Sequence, residues 1–242
     1  MERNVFDQVA GDYEKIHERS LPPGVHSHEF VEQRAAMVIR WICDGYAGEE
    51  FCYLDFGCGN GRLFKLLIES ASLKSLVEQG RLRLFGFDTS AESIKEAKRI
   101  TGDERVCFAG DLDDLPRDVR FDLVIGCNVF HHIAPADRSA VAQTLHRRMK
   151  PKARLAIWEH NPFNPITRLL VKICPFDQDA RLLTFGTTKS LFECNSYRHV
   201  QHAYVNVFPP RWQRLKLLSA VERMAARFPV GAQYWVMFER NE

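Results

Sequence analysis

The chain lacks any run of about 18 apolar residues, so the sequence offers no membrane-spanning helix. Residues 1–20 are polar and charged with no apolar stretch of the kind that leads a secreted chain, and a cytoplasmic location is expected. There is no internal repeat and no low-complexity segment, which excludes solenoids and disordered tracts. Net charge is nearly absent: a formal +2 is too small to argue for nucleic acid or for an anionic membrane surface. No Cys-x-x-Cys pair occurs among the seven cysteines, Cys43, Cys52, Cys58, Cys107, Cys127, Cys174 and Cys194. They read as reduced thiols, mostly buried as small hydrophobes, and no Cys or His spacing matches a zinc site, so no metal is expected.

What is present is an ordinary globular composition over 242 residues, 45% apolar and 26% charged, enough for one large domain with additions. Residues 28–43 carry Phe30, Met37, Val38 and Trp41 near helical spacing. From residue 51 strands alternate with helices. Strands are predicted at Phe51–Phe56, Leu82–Phe87, Val106–Ala109, Phe121–Cys127 and Arg154–Trp158, with helices after Gly61, from Ser90 and from Pro135 until Pro151. Such alternation implies a parallel sheet covered on both faces. Asn164-Pro165 starts a further helix, Ser190-x-x-Glu193 reads as a capping box, Tyr204–Phe208 as a strand, Pro209-Pro210 as a helix start and Tyr234–Phe238 as a last strand. The expected fold is an α/β, Rossmann-like, doubly wound seven-stranded sheet, mostly parallel with a reversed last strand and a helical cover.

The chemistry is concentrated in turns after strands. Asp55-x-Gly57-x-Gly59-x-Gly61 lies between a strand and a helix, where glycines permit a tight turn and close approach of a nucleotide-like ligand to free helix N–H groups. The dinucleotide fingerprint needs its third glycine at 62, which is Arg62, and the Gly-Lys-Ser/Thr of a phosphate loop is missing. Asp55 suits a cationic ligand such as S-adenosylmethionine better than a pyrophosphate. Asp88, ending the second strand, can accept bonds from ribose hydroxyls. Asp111, after the third, can accept from an adenine amino group with Leu112 against the ring.

Four motifs, Tyr53-Leu54-Asp55-Phe56-Gly57-Cys58-Gly59-Asn60-Gly61, Gly86-Phe87-Asp88-Thr89-Ser90, Gly110-Asp111-Leu112 and Phe121-Asp122-Leu123-Val124-Ile125-Gly126-Cys127-Asn128, resemble those of class I S-adenosylmethionine-dependent methyltransferases in order and rough spacing. The resemblance spans residues 50–160. It implies that Asp55, Gly57 and Gly59 hold the methionine part of the cofactor, with Phe56, Cys58 and Gly61 in the same turn. Asp88 with Thr89 and Ser90 would sit at the ribose, Asp111 and Leu112 at the adenine, and Asn128 near the sulfonium. Asn128-Val129-Phe130-His131-His132 resembles the small-molecule branch that includes ubiquinone and menaquinone methyltransferases. The run Glu159-His160-Asn161-Pro162-Phe163-Asn164-Pro165, followed by Cys174-Pro175-Phe176-Asp177-Gln178-Asp179-Ala180, resembles a bacterial subgroup linked to secondary metabolites and surface polysaccharides.

His131, His132 and His160 are therefore candidate bases, since imidazole titrates near neutral pH. For the histidines a loop-capping role stays open. Glu159, Asn161 and Tyr13 are candidates for contact with the acceptor. Asp177 and Asp179 read as turn or cap residues rather than metal ligands. The expected division is residues 1–45 as an N-terminal helical cover and 46–242 as the methyltransferase domain, with 161–198 inserted as cover. The expected activity is methylation of a small molecule, oxygen slightly favoured, with no nucleic-acid partner, no stable membrane insertion, and a monomer or homodimer. An NAD-type oxidoreductase and a non-catalytic cofactor-binding partner subunit stay open as alternatives.

Overall fold

The computed structural model describes Glu18 and residues 21–241; Tyr13 lies outside the described residues. Seven strands hydrogen-bond in the order β3-β2-β1-β4-β5-β7-β6, where β1 is Phe51–Phe56, β2 Leu82–Phe87, β3 Val106–Ala109, β4 Phe121–Cys127, β5 Met149–His160, β6 Tyr197–Val205 and β7 Gln233–Arg240. β1 pairs parallel with β2, and β2 with β3, while β7 runs antiparallel to both β5 and β6. The expected mostly parallel sheet with a reversed last strand is what forms. No helix among the described residues is long and apolar enough to cross a membrane.

The chain clusters into two compact units that part within β4, one containing His26–Val124 and the other residues 125–241. In the first unit, all six residues of β1 are buried, as an apolar strand covered on both faces requires. α1 (Ser27–Gly45) buries Ala35, Val38 and Ile42 along one face, and α2 (Arg62–Glu69) buries Leu63, Phe64 and Leu67. Phe64 meets Phe108 edge-on at 5.1 Å. The unit also holds α3 (Lys74–Glu78), α4 (Ala91–Thr101) and a short 3-10 helix at Leu112–Asp114.

The second unit holds α5 (Arg138–Arg148), α6 (Pro165–Ile173), α7 (Phe185–Glu193) and α8 (Lys216–Ala225). Its core is aromatic: Phe192 lies 5.2 Å from Phe130, 5.4 Å from Tyr197 and 4.9 Å from Phe238, and is fully buried. Phe192→Ala should destabilise the protein by about 3–5 kcal/mol through lost burial and a residual cavity. Urea unfolding followed by tryptophan fluorescence would measure it, and a loss below about 1 kcal/mol would contradict this packing.

Several expectations change here. The capping box at Ser190 is replaced by an earlier start: Thr184 accepts from Thr187 N–H and begins α7, so Ser190 lies inside the helix. β6 runs over Tyr197–Val205 rather than 204–208, and stops before Asn206, whose φ of 66° breaks the strand. Pro151 does not end a helix but sits early in β5, where its missing N–H is tolerated. The helix expected from Pro135 begins at Arg138. All seven cysteines are free thiols, but only Cys52 and Cys174 are buried, because Cys43, Cys107 and Cys194 fall on outward positions of their elements. Ile166, Leu169 and Ile173 on α6 are more than half exposed, so this helix presents most of its apolar stripe to solvent and buries Thr167 and Val171.

Candidate functional site

In the first unit the glycine turn follows β1. Gly57, Gly59 and Gly61 take φ values of 79°, 53° and 72°, the left-handed region that favours glycine. Gly61 has a second reason: a Cβ there would stand 2.8 Å from the Ala97 Cβ of α4, so the helix can pack closely only against glycine. At Gly59 a Cβ would meet nothing within 4 Å, which leaves the loop face open. Gly57 and Cys58 N–H donate to the Phe87 carbonyl at 2.7 and 2.9 Å, tying the turn to the end of β2.

Asp88 clamps the same turn. One of its oxygens accepts from Gly59 N–H at 2.9 Å, the other from Ser90 N–H at 2.9 Å. Ser90 is fully buried and spends its hydroxyl capping α4 through Ser93 N–H, which makes it a structural residue, whereas Thr89 is exposed. Asp111 is exposed and accepts from Asp113 N–H, with Leu112 half-buried beside it. Phe56 is buried and stacks on Phe87 at 5.0 Å. Desolvation of the half-buried Cys58 sulfur, together with the negative charge of Asp55 and Asp88, pushes its thiol well above its ordinary range, so it is inert at neutral pH.

Asp55 is the unusual group. It is only 5% exposed, and burial lifts its carboxyl to about 7; Arg34 draws it down and Asp88 pushes it further up. A buried carboxyl that ionises near neutrality is poised to receive a cationic ligand.

The second unit carries a separate cluster of histidines and acids. The His131 ring is 1% exposed and its Nδ1 stands 2.5 Å from Glu159 Oε2. Glu159 is fully buried and also accepts from Phe130 N–H at 2.8 Å through Oε1. Both carboxylate oxygens are thus engaged within the protein, so Glu159 orients His131 and is not placed to touch an acceptor, contrary to the expectation for it. The His132 and His160 rings lie 4.1 and 5.3 Å from the His131 ring. Asp177, 46 residues along the chain, arrives at the same place, its Oδ1 3.5 Å from His131 Nε2 and 3.4 Å from His132 Nε2.

The segment carrying Asp177 is anchored on this cluster. Arg181 N–H donates to the His131 carbonyl at 2.8 Å, Arg138 Nη2 to the Arg181 carbonyl at 2.6 Å, and the Tyr234 hydroxyl to the Leu183 carbonyl at 3.0 Å. Burial opposes charge on His131, but the Glu159 and Asp177 carboxylates outweigh it and raise the imidazole to about 9. Burial and the neighbouring His131 charge push His132 down to about 4. Burial alone would raise Asp177, yet the three histidines hold it near about 2.

Asn128 sits at φ 55° after β4, a strained conformation for a side-chain-bearing residue, and its Oδ1 accepts from Gln233 Nε2 at 3.4 Å. Asn161 is fully buried and all of its polar atoms serve the fold: Nδ2 donates to the Pro229 and Gly231 carbonyls and Oδ1 accepts from Phe163 N–H. Acceptor contact, expected for Asn161, is therefore not its task. Asn164 caps α6 through Thr167 N–H, and Asp179 is exposed. Sequence reasoning missed Asp177 as a partner of the histidines because nothing local marks a contact 46 residues away.

Residues 54–155 match the family model described as a methyltransferase domain. The match runs from β1 through the glycine turn into β5. No curated protein matches the sequence. Among solved structures the chain is similar to magnesium protoporphyrin IX methyltransferase from Synechocystis PCC 6803 with bound S-adenosylhomocysteine, at 15% identity, with 98% of each chain covered and a TM-score of 0.62. It is similar to a complex of the Haloferax volcanii Trm112 methyltransferase activator with a methyltransferase, at 17% identity, both chains fully covered and a TM-score of 0.61. Phosphoethanolamine N-methyltransferase 2 from Haemonchus contortus, solved with S-adenosylmethionine, aligns at 14% identity over 98% of this chain and 57% of that one, with a TM-score of 0.59. At these identities the likeness is one of fold.

Proposed function

We propose that the protein transfers the methyl group of S-adenosylmethionine to a small molecule and that a hydroxyl oxygen is the preferred acceptor. The observation that carries the oxygen preference is the buried Glu159–His131 pair with His132 and His160 around it. Methyl transfer from a sulfonium is a direct displacement, so alignment does most of the work, and only an acceptor that must lose a proton needs help. His131, charged at neutral pH because its two carboxylate neighbours outweigh burial, favours an acceptor that is becoming an oxyanion. A neutral amine would gain nothing from such a charge.

In the same reading Asp55 and the turn through Gly57, Cys58, Gly59 and Gly61 hold the methionine part of the cofactor. Asp88 holds the ribose, Asp111 and Leu112 the adenine, and Asn128 the region of the sulfonium. Secondary-metabolite or surface-polysaccharide synthesis is the setting that the Glu159-His160-Asn161-Pro162 run supports.

Calorimetry with S-adenosylmethionine, S-adenosylhomocysteine and NAD tests the cofactor. We expect 1:1 binding of the first two in the micromolar range and none of NAD, and Asp88→Ala to weaken both by about 10- to 100-fold. Binding of NAD instead would sink the reading. A panel of phenols, sugars and amines, followed by S-adenosylhomocysteine release, then tests the acceptor. Turnover confined to amines would refute the preference for oxygen.

A further inference from the structure

We infer that His131, His132 and Asp177 form a binding site for one divalent transition-metal ion of the zinc type. The two imidazole nitrogens and the carboxylate oxygen all lie within 4.8 Å of one another. Ligands held 2.0–2.1 Å from a tetrahedral zinc stand about 3.3–3.4 Å apart, by simple geometry. The 3.5 and 3.4 Å separations from Asp177 Oδ1 to His131 Nε2 and His132 Nε2 have that spacing. They are long for hydrogen bonds.

His131 supplies a second and independent observation. Its ring is 1% exposed, yet Nε2 has no hydrogen-bond partner. A buried imidazole nitrogen left in this state is costly. Its other nitrogen faces Glu159 at 2.5 Å, so the Nδ1 hydrogen is given to that carboxylate. In the neutral ring this sets the tautomer and leaves the Nε2 lone pair turned toward Asp177. A carboxylate behind a histidine is the usual support of a metal-bound imidazole. In the neutral ring, the lone pair and the Asp177 oxygen would repel each other across 3.5 Å. A cation between them removes the conflict.

The donor set suits zinc or a similar ion: two imidazoles and one carboxylate, with a fourth position open. The His132 side chain is 25% exposed, which provides the entry path. Asp177 is held in place independently of any ion by the Arg181, Arg138 and Tyr234 bonds around its segment. A metal there would draw an acceptor hydroxyl toward its ionised form. The site uses the histidines that carry the oxygen preference, and the metal would stand where that reading places a proton on His131.

The full-length protein, stripped with chelator, would be titrated with zinc against a chromophoric competitor and with cobalt by visible absorbance. We expect one ion per chain with a Kd below about 1 μM, and intense cobalt bands of low coordination number. His132→Ala and Asp177→Asn, which leave the buried Glu159–His131 pair intact, should each weaken zinc by at least about tenfold and abolish the cobalt bands. S-adenosylmethionine calorimetry on the same metal-free samples reports folding and cofactor binding separately. The inference is overturned if no stoichiometric zinc binds. It is equally overturned if both variants bind as tightly as the parent, which would place the ion elsewhere, for example at the half-buried His199 and His202 pair. In either case a proton on His131 takes the place assigned to the metal.

Discussion

The Asp55→Asn protein is expected to be harder to unfold than the parent at pH 8, and to bind S-adenosylmethionine on the order of a hundredfold more weakly. The first half follows from burial. An aspartate whose carboxyl rises from its ordinary 3.8 to about 7 on folding binds more protons folded than unfolded between those values. Stability therefore falls as pH climbs from about 4 to 7 and stays low above it, a cost of up to about 4 kcal/mol. An uncharged amide escapes that cost. The second half follows because removing one member of a buried charge pair exposes the other. In the parent, cofactor cations pull the Asp55 proton off, so binding at pH 6 should release about one proton and at pH 8.5 almost none. Urea melts at pH 8 and calorimetry in two buffers of different ionisation heat measure both halves. Equal stability of variant and parent, together with pH-independent binding by the parent, would remove Asp55 from the cofactor site.

The second large effect concerns the histidine cluster. His131→Ala leaves Glu159 ionised, fully buried and facing an empty space, with the Phe130 N–H as its one hydrogen-bond donor among the described residues. Breaking such a pair from one side costs about 3–5 kcal/mol, which for a chain of this size lowers Tm on the order of 10 °C. Glu159→Gln alone should cost less, because the amide oxygen can still accept from Phe130 N–H. The double variant His131→Ala with Glu159→Gln should recover part of the loss, giving a coupling of about 2 kcal/mol in the thermodynamic cycle. Cofactor affinity should stay within about twofold in any variant that folds, since the glycine turn and Asp88 are untouched. A strictly additive cycle would mean that the pair is not an interacting unit.

How far this was readable in advance depended on locality. The glycine turn and its acids are encoded within a few residues of strand ends, and strands such as Phe121–Cys127 announce themselves by a nearly continuous apolar run. β6 does not: it lies at the sheet edge, carries Arg198, His199, Gln201 and His202, and buries only Tyr197 and Tyr204, so its apolar signal is thin and displaced. α6 shows the opposite error, since its apolar spacing predicts a buried face that the fold leaves mostly outside. Pattern alone reports which residues share a face, not what covers that face. Asp177 is the hardest case. Its meeting with His131 and His132 depends on the path of a loop between α6 and α7, which no periodicity describes.

The placement of β7 also has a consequence for synthesis. Among the described residues β6 touches the sheet only through β7, which lies between it and β5. While the ribosome is still making residues 206–232, β6 has no neighbour to pair with and β5 offers a bare edge. The Tyr234 hydroxyl that steadies Leu183 is also yet to come. A nascent chain halted in that interval carries two open strand edges and an unfastened loop. Ribosome stalling in that window should favour capture by chaperones and aggregation, and release of the final strand should end both.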